Sequence, residues 1–119
     1  MSVICRTPGR GDVLLHRGGT ESIGVRWTQD RGDGKGYQPV DLLHWQGVLE
    51  LRSPSGELWY SQQCRMTADG LAYAVIPASA FAADAWGQRT VGEWRIRAWP
   101  TDDTDGAEVL GWGYFALAL

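Results

Sequence analysis

The chain has 119 residues, 44% hydrophobic and 21% charged, enough for one domain that buries roughly two thirds of its unfolded surface without staples. A formal charge of −3 and a pI near 5.2 offer no attraction to phosphate backbones or anionic lipid, which argues against nucleic-acid and membrane-surface partners. Glycine (16) and tryptophan (7) are both high, and that much glycine favours turns over long helices.

Residues Met1 to Asp12 carry Pro8, Gly9 and Gly11 with little periodicity and read as an irregular arm preceding a domain that spans 13–119. The arm lacks the apolar run of an export signal, and no stretch of the chain reaches the length of a membrane-spanning helix, so assembly in a cytoplasm is expected. Cys5 and Cys64 lack the spacing of a CxxC metal site, and a reducing compartment favours free thiols over a bridge between them.

Val13 to His16 is a brief apolar run ended by Arg17-Gly18-Gly19-Thr20. Ser22 to Thr28 alternates, with Ile23, Val25 and Trp27 on one face, and predicts a strand. Gln29 to Gln38 holds three glycines, two aspartates and no aliphatic residue, which predicts an exposed loop. Pro39-Val40-Asp41-Leu42-Leu43 is a bend leading into a strand that starts near His44.

The strongest pairing signal follows. Val48 to Arg52 and Glu57 to Gln62 both alternate and flank Ser53-Pro54-Ser55-Gly56, the composition of a hairpin loop. Leu49 and Leu51 share one face; Val48, Glu50 and Arg52 share the other. Cys64 to Gly70 is a polar connection turning at Thr67-Ala68-Asp69-Gly70, and Leu71 to Ile76 is a strand stopped by Pro77. Ala78 to Trp86 is the alanine-rich window, bounded by Pro77 and Gly87, and predicts one short helix with Phe81 and Ala85 on its buried side. Val91 to Trp99 places Trp94, Ile96 and Ala98 on one face and Arg95, Arg97 and Trp99 on the other. An acidic turn, Pro100 to Gly106, precedes a last strand from Glu108 to Leu119.

These elements predict an all-β protein: a single antiparallel β-sandwich of about seven or eight strands with one short helix near residues 78–86, a small closed barrel being the alternative.

Read in order, the chain resembles the small β-sandwich domains of tailed-phage structural proteins, typified by the N-terminal domain of the baseplate upper protein and the LtfC-type sandwich of actinobacteriophages. Leu15-His16-Arg17-Gly18-Gly19-Thr20 ahead of Ile23, Val25 and Trp27 matches the opening of that pattern. Pro39-Val40-Asp41-Leu42, then Leu49 to Gly56, the alanine-rich window and Gly92 to Ala98 follow in the family's order. Gly19 replaces a common acidic residue, Leu43-His44 replaces Thr-Gly, and tryptophan is more frequent. The resemblance implies a virion building block of the tail or its tip. Its partners would be other virion proteins and copies of itself.

The residues offer little catalytic chemistry. His16 and His44 lie in no H-x-x-x-H or G-x-S-x-G arrangement, and neither has a nucleophile beside it in sequence. Asp102, Asp103, Asp105 and Gly106 imitate part of a calcium loop but lack its distal glutamate, and a hairpin turn accounts for them. Arg10-Gly11-Asp12 and Arg31-Gly32-Asp33 are adhesion tripeptides by letter only. No cofactor or metal is expected, and the chain is expected not to be an enzyme. Aromatic and arginine residues are what remain: Trp45, Trp59, Arg95, Arg97 and Trp99 are candidate interface anchors, with a bulge that turns the tryptophans inward as the competing possibility. Exposed, coplanar tryptophans would instead suit a carbohydrate-binding module.

Overall fold

A computed structural model describes residues 9–30 and 32–118. Among the described residues eleven strands form: β1 (Gly9–Arg10), β2 (Val13–His16), β3 (Glu21–Arg26), β4 (Thr28–Asp30), β5 (Tyr37–Pro39), β6 (Trp45–Arg52), β7 (Leu58–Gln63), β8 (Arg65–Met66), β9 (Leu71–Ile76), β10 (Val91–Pro100) and β11 (Glu108–Ala118). The large sheet runs β1-β11-β10-β6-β7, with β2 also on β11; β3-β9-β8 make a second sheet and β4-β5 a small hairpin. The expected all-β architecture is present, with three separate sheets compatible with a sandwich.

The core follows from alternation. Leu49 and Leu51 of β6, Trp94, Ile96 and Ala98 of β10, and Phe115 and Leu117 of β11 point inward, where they meet Ile23 of β3 and Ala72, Ala74 and Ile76 of β9. Burying each large side chain is worth about 1.5–3 kcal/mol. A one-residue slip in β6 would exchange Leu49 and Leu51 for charged neighbours, so the face fixes the register. The strand Leu71–Ile76 and the hairpin loop after Arg52 lie where the alternation places them.

Four features depart from the sequence expectation. The edge strands β1 and β2 pair parallel, not antiparallel, with β11. Between them the edge is broken at Gly11-Asp12, where the Asp12 carboxylate accepts the Tyr114 N–H at 3.0 Å and the Gly11 carbonyl accepts the Trp94 indole N–H at 2.8 Å. A β-carbon at position 113 would overlap that Gly11 carbonyl, which is why Gly113 stands opposite Trp94. The second departure is the loop from Gln29 to Gln38, whose ends pair as β4 and β5 around an exposed, glycine-rich tip.

The third is the alanine-rich window, which forms two short 3₁₀ turns, Ala78–Phe81 and Asp84–Gln88, separated by an extended Ala83. Phe81 and Trp86 are five residues apart, about 140° around an α-helix at 3.6 residues per turn. One continuous helix would send only one of them inward. The break lets both rings enter the core and pack edge to face at 4.9 Å, leaving Ala85 exposed. Arg17 holds the break open by donating to the carbonyls of Phe81, Ala82 and Ala83.

The fourth departs from plain alternation and realises the competing possibility for Trp59: a bulge between Leu51 and Arg52 in the β6–β7 pairing, taken up below. Cys64 is buried, and burial pushes its thiol up to about 12, far from thiolate chemistry. The arm expected over Met1 to Asp12 falls, through residue 8, outside the described residues, as does any bridge between Cys64 and Cys5. The two residues Gly9 and Arg10 that follow are strand, not irregular chain.

Candidate docking face

The second sheet covers one face of the large sheet. The opposite face carries the alternate residues, and the register of the sheet's six strands arranges them in rows across it. Leu14, Ala116 and Val91 form one row; Tyr114, Glu93, Arg52 and Leu58 the next; Arg10, Trp112, Arg95, Glu50 and Ser61 a third. Val109, Arg97, Val48 and Gln63 follow, then Trp99 beside Gln46.

Glu50 is the centre of this surface. Only 5% of it is exposed, although it lies on the outer side of the sheet. Arg52 Nη2 donates to its Oε2 at 2.9 Å and Arg97 Nε donates to Oε1 at 3.2 Å, while Arg95 Nε stands 3.8 Å from Oε1. Three guanidinium groups thus roof one carboxylate. Removing it would leave like charges crowded together. The arginine side chains themselves stay 25–40% exposed, so water and salt screen each pair.

Beside this cluster, Arg10 lies over the rings of Trp112 and Tyr114, 5.1 and 5.2 Å from their centroids, and those two rings meet edge to face at 5.8 Å. A shallow depression opens between Glu93, Arg95, Val109 and Trp112, floored by Trp94. Leu14, Leu58, Val91 and Tyr114, all large hydrophobic residues left exposed by the fold, belong to this face.

Of the residues singled out from sequence, Arg95, Arg97 and Trp99 stand together on this outer face, as alternation along β10 requires. Trp45 and Trp59 do not join them. Trp45 is half-buried and meets Trp27 edge-on at 5.1 Å. Simple alternation would turn Trp59 away from Tyr60, but the bulge at Leu51/Arg52 gives β7 an extra residue. Leu58 therefore takes the outward place opposite Arg52, and Trp59 packs edge-on against Trp86 and Phe115 at 6.1 and 6.3 Å, with Arg89 over its ring.

Glu50, Arg10, Trp112 and Tyr114 are not among the interface anchors that the sequence offers. Glu50 and Arg52 share parity with each other, and Arg95 and Arg97 share theirs; knowing that β6 pairs with β10 would have joined the two sets.

The remaining motifs are used locally. His16 pairs with Glu21 at 3.1 Å, and the His44 carbonyl accepts from both the N–H and the hydroxyl of Thr101. Asp103 accepts the Asp105 N–H in the turn after β10, and Asp33 accepts the Lys35 N–H. Arg10 and Asp12 of the first adhesion-like tripeptide are engaged with β11. Among the described residues no group of three or more His, Cys, Asp or Glu side chains could hold a metal ion.

No protein-family model and no curated protein sequence matches the chain. Among solved structures, the fold is similar to the N-terminal domain of phage TP901-1 ORF48, with a TM-score of 0.55 and 12% sequence identity, covering 95% of this chain and 91% of that one. At that identity the likeness is one of fold.

Proposed function

We propose that this protein is a non-enzymatic structural subunit of a bacteriophage virion, placed in the tail or at its tip, and that it works by binding copies of itself and other virion proteins. The observation that carries this reading is the fold likeness to a phage protein's N-terminal domain across nearly the whole of both chains. The order of short motifs from Leu15 to Ala98 supports it independently, since those motifs resemble tail-associated sandwich domains. The outer face of the large sheet supplies the means: arginines and aromatics on a rigid sheet are the residues that anchor protein interfaces.

A sugar-binding reading needs flat, open tryptophans. All seven tryptophans are buried or half-buried, and Trp27, Trp45, Trp59, Trp86 and Trp94 are built into the core or packed against it. A capsid-decoration or head–tail connector role uses the same assembly chemistry at another place on the particle, and one experiment separates them. Gold labelling of a C-terminally tagged copy on intact particles should mark the tail or tip. Label over the head would move the protein to the shell. Absence of the untagged chain from purified particles by mass spectrometry would overturn a virion role altogether.

A further inference from the structure

Charge is spread unevenly over this fold. The whole chain carries −3, yet its outer sheet face gathers four arginines, Arg10, Arg52, Arg95 and Arg97, against three acidic residues, Glu50, Glu93 and, 3.6 Å from Arg10 at the edge, Asp12. At the end of the same sheet, the connection between β10 and β11 exposes Asp102, Asp103, Asp105 and Glu108. Positive and negative patches therefore sit on different parts of one molecule.

Arg95 is the cluster member least committed to Glu50. Its Nε is 3.8 Å from the nearest Glu50 oxygen, beyond hydrogen-bond length, and it lines the depression together with Trp112, Val109 and Glu93. A carboxylate entering there would meet a guanidinium beside an indole. Arg97, one row further toward the acidic turn, offers a second, with 38% of its side chain exposed.

We propose that the acidic turn Asp102 to Glu108 of one copy docks on the outer face of the next, its carboxylates facing Arg95 and Arg97. The inference deepens the assembly reading and rests on it, naming the partner as a second copy of this chain. The two contacting surfaces differ, so the contact is head-to-tail and generates a ring where the rotation closes. Packing two outer faces directly on each other would oppose arginine with arginine, a like-charge arrangement that disfavours that pairing. Attraction between exposed charges is screened within a Debye length, so the contact weakens as salt rises.

Sedimentation velocity on the purified full chain tests this at low and high ionic strength. Oligomers should form at low salt and dissociate at high salt. An Asp102→Asn/Asp103→Asn/Asp105→Asn variant and an Arg95→Gln/Arg97→Gln variant should each weaken self-association about tenfold or more, about 1.4 kcal/mol. Mixed together, the two should give a complex of two chains that grows no further, because one intact turn then meets one intact face. A chain that stays monomeric in low salt, oligomers indifferent to both variants, or a mixture that fails to pair would each overturn the proposal. Should the arginine variant lose its native circular dichroism, the turn variant decides alone. Its altered side chains are exposed, and the amide introduced by Asp103→Asn keeps an oxygen to accept the Asp105 N–H that the carboxylate accepts in the wild type. A monomeric chain found on labelled tails would refute this docking while leaving the virion role standing; oligomers from a chain absent from particles would do the reverse.

Discussion

The inner and outer faces of the large sheet are built from the same strands, and only alternate residues distinguish them. Inward, Leu49, Leu51, Trp94, Ile96 and Phe115 lose nearly all contact with water, and the fold's stability rests there. Outward, the neighbouring residues Glu50, Arg52, Arg95 and Arg97 form an ionic cluster, and Trp99, Trp112 and Tyr114 keep part of their rings in solvent. A monomer gains little from such a face, because partly exposed ion pairs contribute on the order of 1 kcal/mol or less each. The contrast teaches that the inner set answers the question of how the chain folds, whereas the outer set is free to answer what it binds.

Mutations on the inner side should break the fold first. Phe81 is fully buried between the rings of Trp86 and Tyr60, so Phe81→Ala should cost about 3–5 kcal/mol, read as a lower urea midpoint at constant slope. A loss under about 1 kcal/mol would mean that the 3₁₀ segment is not part of the core.

The tryptophan pair sharpens the comparison more finely. Trp59→Ala removes a ring packed on Trp86 and Phe115 and should cost about 2–4 kcal/mol. Trp99→Ala, on the outer face, should cost about 1 kcal/mol or less and instead reduce incorporation into particles. Equal destabilisation by the two would erase the distinction between the faces.

That pair also shows where sequence reasoning reached and where it stopped. Alternation correctly put Arg95, Arg97 and Trp99 on one side, because β10 pairs without interruption along β6. It failed for Trp59 because a bulge adds one residue to β7, and nothing in Glu57 to Gln62 announces an extra residue. The two 3₁₀ turns were hidden for a related reason: alanine-rich composition favours a helix locally, while the need to bury both Phe81 and Trp86 is a tertiary demand. Parallel pairing of β1 and β2 was likewise invisible, since it depends on the two ends of the chain meeting at β11. Cross-strand charge pairing at Glu50 could emerge only once strand order was known.

Glu50 itself gives the next smaller effect. Glu50→Gln keeps the shape and one acceptor oxygen but leaves Arg52, Arg95 and Arg97 without a counter-charge, and should cost about 1–2 kcal/mol. The loss should be partly recovered at high salt, where the arginines repel less. Salt-independent destabilisation would assign Glu50 a packing role and make the outer face more like the inner one.

The smallest effect separates the outer face from the turns that frame the fold. Asp69, in the turn between β8 and β9, accepts from the Thr67 hydroxyl and from Arg26, and these partners hold its carboxyl below the usual 3.8. A carboxylate whose folded pKa is depressed contributes stability that is present above the unfolded value and lost as pH falls through the folded one. Wild type should therefore exceed Asp69→Asn in stability at neutral pH, and the gap should close only on acidification below pH 3.8. The group is largely exposed, so the gap is slight and is best followed by NMR titration of the Asp69 carboxyl, whose midpoint should lie below 3.8. A midpoint at or above that value would show the turn's hydrogen bonds to be absent in solution.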